Sequence, residues 1–190
     1  MTLDYTSGRL VFMRVSAALA CLLYVTTANA QETTRYSTRP HPRANGVVAS
    51  VAYPRLWKAL DGSGTVLQVF VGEENRRRVG ASIGAKRFVG TEQDCSNGDR
   101  ATWEKLVQPS QQLISSAPNI STAKPGWTLE TRQWNGEGAA KILTHARVEF
   151  SCHGNLLLSL SCFGSGFPGV SELPSLPTSC AAFFLSLEVD

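Results

Sequence analysis

Trp127-Thr128-Leu129-Glu130-Thr131-Arg132-Gln133-Trp134, Asn135-Gly136-Glu137-Gly138, residues 139–152, His153-Gly154-Asn155, then Leu156-Leu157-Leu158-Ser159-Leu160-Ser161-Cys162: here two turn clusters separate three alternating segments. Asn-Gly and Gly-Asn supply positive φ at little steric cost, so the stretch predicts a three-stranded antiparallel meander. Val148, Phe150 and Cys152 share one face of the middle segment, opposed by Arg147, Glu149 and Ser151. After the turn, Leu156, Leu158, Leu160 and Cys162 share a face. Period two sends the apolar row to a core and the polar row to water. Each buried Leu or Phe stabilises by roughly 1.5–3 kcal/mol, which disfavours a slip in register. Residues 181–189 continue the alternation through Ala181, Phe183, Leu185, Leu187 and Val189, and predict a last strand.

Upstream, Thr65 to Gly72 and Val79 to Val89 are β-like, the second broken by Gly84, with Glu73-Glu74-Asn75-Arg76-Arg77-Arg78 as a charged hairpin end. Ala101 to Gln108 predicts a short helix with Trp103, Leu106 and Val107 on one side, capped by Asp99 and stopped by Pro109, with a further turn or two over 110–117. The fold class expected is mainly β, an antiparallel sandwich or open barrel with one short helical insertion near 101–116.

The N-terminal thirty residues read as a signal peptide. Arg9 and Arg14 precede an apolar run, and Ala28-Asn29-Ala30 supplies a cleavage site. The run is shorter than the ~20 residues that span a bilayer, and Met13 makes the more typical start. The expected address is therefore secreted or periplasmic, with cleavage near Ala30 and no transmembrane segment. Residues 31–45, with Arg35, Arg39, Pro40, Pro42 and Arg43, predict a flexible basic arm, and residues 46–190 a single β-rich domain. Losing Arg9, Arg14 and Asp4 with the leader leaves sixteen basic and fourteen acidic residues. A balance that small selects no partner class, and no nucleic-acid role is expected. All sixteen basic residues lie before Val148, and the last 43 residues carry four acids. So uncharged a stretch predicts burial.

Four cysteines remain after the leader: Cys95, Cys152, Cys162 and Cys180. An even count in an exported chain predicts two disulfides. Cys162–Cys180 would staple the Gly- and Pro-rich loop between them, contributing ~3 kcal/mol, and Cys95–Cys152 follows by exclusion.

The chemistry-bearing candidates are few. Gly164-Ser165-Gly166-Phe167-Pro168-Gly169 matches a phosphate-loop string, but Pro168, Pro174 and Pro177 leave no room for the helix that string requires. Phe163-Gly164-Ser165-Gly166 resembles the Phe-Gly-x-Gly string of immunoglobulin variable domains, and Cys95 and Cys152 have a plausible inter-sheet spacing. Trp103 stands too near Cys95 and no strand-C motif follows it, so membership is excluded, while a two-sheet sandwich stays open.

No nucleophile elbow occurs, since the Gly-x-Ser-x-Gly string Gly80-Ala81-Ser82-Ile83-Gly84 lies inside the β-like run 79–89 with no helix to follow it, and no metal-ligand spacing occurs. A His base would have to be His145 or His153, partnered by Glu149, Asp94 or Asp99. Asn119-Ile120-Ser121 is a glycosylation sequon, usable in a eukaryotic source. The residues expected to bind are Arg76, Arg77 and Arg78, for an anionic glycan or headgroup, with Trp134, Phe163 and Phe167 as apolar contacts. The leading expectation is a non-catalytic binding module for a protein or glycan, without cofactor. An inhibitor of a secreted hydrolase acting through residues 163–179 is second, and a small hydrolase using a His base third.

Overall fold

Glycines of positive φ, Gly136 (+88°) and Gly154 (+60°), stand at the two reversals where the turn chemistry predicts them. In chain order the computed structural model, which describes residues 32–87, 100–119 and 126–190, has strands β1 (Thr33–Ser37), β2 (Ala49–Pro54), β3 (Lys58–Asp61), β4 (Val66–Glu74) and β5 (Arg77–Arg87). Helical segment α1 (Arg100–Glu104) comes next, then β6 (Gln112–Pro118), β7 (Gly126–Asn135), β8 (Ile142–His153) and β9 (Leu156–Ser165). Helix α2 (Thr178–Leu185) and β10 (Glu188–Val189) end the chain.

The strands form two antiparallel sheets, a seven-stranded one in the order β3-β4-β5-β9-β8-β7-β6 and a three-stranded one in the order β1-β2-β10. The predicted meander is β7-β8-β9. The β4–β5 hairpin, built on far-upstream sequence, joins its β9 edge.

Register sorts the large sheet into two faces. Phe70, Val79, Ala81, Ile83, Leu158, Leu160 and Cys162 point one way and meet Val47, Ala49 and Val51 below the small sheet and Phe183 and Phe184 of α2. Phe70 sits at the hub, with Tyr53, Tyr36 and Phe183 at ring-centroid distances of 4.2, 5.7 and 5.9 Å. This is the covered face. On the opposite face, Trp103 of α1 stacks on Trp127 at 6.4 Å and meets Phe150 at 5.8 Å, closing the end that holds Leu129, Cys152 and Leu157. The other end of that face is open.

Cys162–Cys180 forms, with Cα atoms 5.6 Å apart. Cys152 is disulfide-bonded too; Cys95, its expected partner, lies outside the described residues, as do Asp94 and Asp99.

Five expectations are corrected. Of the predicted flexible arm 31–45, the described residues 32–45 are ordered into the fold. From Thr33 on, β1 pairs with β2 and closes its ladder through main-chain groups, whatever the side-chain polarity. Buried Thr38 bonds Val47 O and Ala49 N, Arg43 donates to Gly62 O and Gly64 O, and Ala44 packs on Leu67 and Ala85. Residues 178–185 are helical, not a strand, because consecutive Phe183 and Phe184 are both buried, which a half-covered strand cannot do. Residues 112–118 form an edge strand on β7, not further helical turns.

Gly84 does not break β5. An added Cβ there would meet Ser159 Oγ at 2.7 Å and Thr65 O at 2.8 Å, so the glycine permits close strand approach. Finally, the polar row of β8 is buried instead of wet: Glu149 is 2 % exposed, and His145 and Ser151 are also covered. These groups lie on the covered face, in register with Gly164, Leu160 and Leu158, and each of them has a partner. Arg147 Nη2 donates to Glu149 Oε1 at 2.6 Å, and its guanidinium lies 5.3 Å from the Phe184 ring.

Candidate functional site

The open end of the seven-stranded sheet is a groove of about 760 Å³. It crosses the strands from Val71 on β4 to Gln133 on β7, with Gln111 just before β6. Four inter-strand steps make that roughly 20 Å. Its volume falls within the ~300–1,000 Å³ of small-molecule sites.

One end of the groove is the β4–β5 hairpin. Asn75 and Arg76 carry φ of +52° and +61°, the two positive values that a two-residue hairpin turn of the primed type requires. Arg76, Arg77 and Arg78 all line the groove, and none makes an ion pair among the described residues. The two acids beside them in sequence divide. Glu73 is paired in register with Arg78 without bonding it. Glu74 turns to α2, where its carboxylate accepts from Thr178 N (2.9 Å), Thr178 Oγ1 (3.0 Å) and Ser179 Oγ (2.7 Å). Burial pushes the Glu74 carboxyl up, but the donors of Ser179 and Thr178 outweigh it and hold it below its ordinary 4.5.

Phe163, Ala146 and Val148 lie in the middle. Phe163 lies across Gly80, its register partner, where an added Cβ would sit 2.5 Å from Phe163 Cζ. Thr131 is 2 % exposed, and its buried Oγ1 has no hydrogen-bond partner. Gln133, Asn135 and Gln111 make the far end amide-rich, and no Asp or Glu lines the groove among the described residues.

The Cys162–Cys180 loop forms one wall through Gly166, Phe167 and Pro168. It is pinned by Gly166 N to Leu143 O (2.7 Å), Gly169 N to Lys141 O (2.9 Å) and His145 Nδ1 to Pro174 O (2.9 Å). A carbonyl only accepts, so Nδ1 carries the proton. Phe167 is stacked by Arg77, Cζ to ring centroid 5.3 Å, and this pair divides the groove from a second hollow of about 490 Å³ under the loop.

Five of the six predicted contact residues, Arg76, Arg77, Arg78, Phe163 and Phe167, therefore converge. Trp134 does not. Gln133 and Asn135 point into the groove, so alternation sends Trp134 to the other face, 45 % exposed. Thr131, Gln133, Ala146 and Val148 carry no motif that sequence reasoning recognises; only strand pairing reveals them.

The histidines are separate from the groove. His145 Nε2 stands 3.6 Å from Glu130 Oε2. His153 Nε2 lies 3.0 Å from Ser151 Oγ, a serine–histidine contact the sequence does not suggest. Ser151 is buried on the covered face, in register with Leu158, away from the groove.

No family model and no curated protein matches the chain. Among solved structures it resembles one of a protein from Bacteroides thetaiotaomicron VPI-5482, at 13 % identity and a TM-score of 0.43, over 75 % of this chain and 45 % of that one. The chain thus spans less than half of that structure's length.

Proposed function

We propose that this chain is a secreted or periplasmic, non-catalytic binding module whose site is the groove on the open face of the large sheet. One observation carries the reading: residues from the 76–78 hairpin, the central strands and the 166–168 loop line a single hollow of about 760 Å³ bearing three arginines and, among the described residues, no acid. A concave, mostly apolar surface with a few convergent polar groups is what small-ligand sites present. The inhibitor reading is less well supported, because the 163–179 loop is tied down along the sheet and forms a wall instead of a projecting finger.

A backbone NMR shift map against a set of small molecules tests the groove. Perturbation of Val71, Thr131, Ala146 and Phe163 is expected. Shifts confined to Trp134, or to the outer side of residues 170–175, would sink it. Export is checked by N-terminal sequencing of the chain recovered outside the cytoplasm, with Gln31 as the expected first residue.

A further inference from the structure

The order of groups along the groove defines a ligand class, on the premise that the groove is the binding site. From β4 to β7 the lining passes from Arg76, Arg77 and Arg78, through Phe163, Ala146 and Val148, to Thr131, Gln133 and Asn135. Cation, apolar floor and neutral hydrogen-bonding groups follow one another across the strands.

Two polar atoms in this lining are buried without partners: Arg77 Nε beside Phe167, and Thr131 Oγ1 in the floor. Buried polar groups are normally satisfied; of the six such atoms among the described residues, these two belong to residues that line the groove.

Arg76 supplies an independent sign. It holds φ of +61° in the second position of a tight hairpin turn, where glycine is the unstrained choice. Strain at a ligand-facing arginine points to a charge retained at the expense of turn geometry.

We propose that the groove binds an amphipathic organic carboxylate. Its head group sits on Arg76, Arg77 and Arg78, its apolar body crosses Phe163, Ala146 and Val148, and a hydroxyl or amide farther along meets Thr131 and Gln133. An arginine fork suits a carboxylate, and charge-assisted bonds are the strong ones. Among the described residues no acid in the lining competes with the head group for the arginines.

The test is calorimetric titration of the purified chain with dodecanoate, ω-hydroxydodecanoate and dodecanol, alongside an acidic peptide and an oligogalacturonate. Dodecanoate should bind at least about tenfold more tightly than dodecanol at low salt, with the gap narrowing as salt rises. ω-Hydroxydodecanoate should bind more tightly still, an advantage lost in Thr131→Val. Arg76→Gly should raise Tm by about 2–4 °C by relieving the turn. The same change should weaken dodecanoate several-fold and leave dodecanol unchanged.

Equal binding of dodecanoate and dodecanol, unchanged carboxylate affinity in Arg76→Gly, or tighter binding of the peptide or the oligogalacturonate would each overturn the carboxylate assignment. The groove would still stand if shifts map to Ala146 and Phe163. If no compound perturbs those residues, the binding-module reading falls with it.

Discussion

Gly80 is small because Phe163 needs the space. An added Cβ would sit 2.5 Å from the ring and 2.8 Å from the Phe70 carbonyl, and the second of these is backbone. Gly80→Ala is therefore expected to cost about 1–3 kcal/mol, read by chemical denaturation, and to swing Phe163 into the groove. Wild-type stability with an unmoved Phe163 would contradict this packing. Most of the candidate site was legible one residue at a time: a run of three arginines and two exposed-looking phenylalanines stand out in any reading. Trp134 stood out equally and points the other way, because the side-chain period of two places neighbours on opposite faces. Thr131 could not be picked out at all. A threonine in a strand is ordinary until the register shows that its hydroxyl is buried without a partner.

Elements are joined across long sequence distances, most clearly where Glu74 at the tip of β4 caps the start of α2, 104 residues on. A carboxyl held below its ordinary pKa stabilises the fold above that value, and the contribution disappears as pH falls through the lowered one. Wild type should thus be more stable than Glu74→Gln at pH 7, and the gap should close as pH drops below about 4.5; pH-resolved thermal unfolding measures it. The disulfide in the same first turn of α2, at Cys180, closes a separation of 18 residues. Replacing Cys162 and Cys180 together by serine is expected to cost about 3 kcal/mol. It should also loosen the wall formed by Phe167, seen as faster amide exchange over residues 164–176. The helical character of residues 178–185 was hidden by a misleading alternation of apolar residues. Pro177 at the N-cap and the Ala181-Ala182 pair were the available signals.

For the whole molecule, the three-stranded sheet is what turns an open seven-stranded sheet into a two-layer structure, and β1 is one of its strands. A chain beginning at Gly46 should lose at least about 3 kcal/mol, because Tyr36, Thr38 and Ala44 leave the core with it. Equal unfolding midpoints for the full and shortened chains would restore the flexible arm. The sequence by itself determined the β7-β8-β9 meander, its apolar row through Leu158, Leu160 and Cys162, and the closing of the loop at Cys180. Each rests on dihedral preference, side-chain period or loop closure within a few dozen residues. Only the tertiary structure decided which polar row is buried, that 33–37 is a strand, and that the arginines share a hollow with Phe163. The hollow depends on β5 pairing with β9, which brings residues 79–87 beside 156–164, and the strand at 33–37 on β1 pairing with β2. No local pattern encodes such a long-range pairing, since it is selected by the joint burial of both strands.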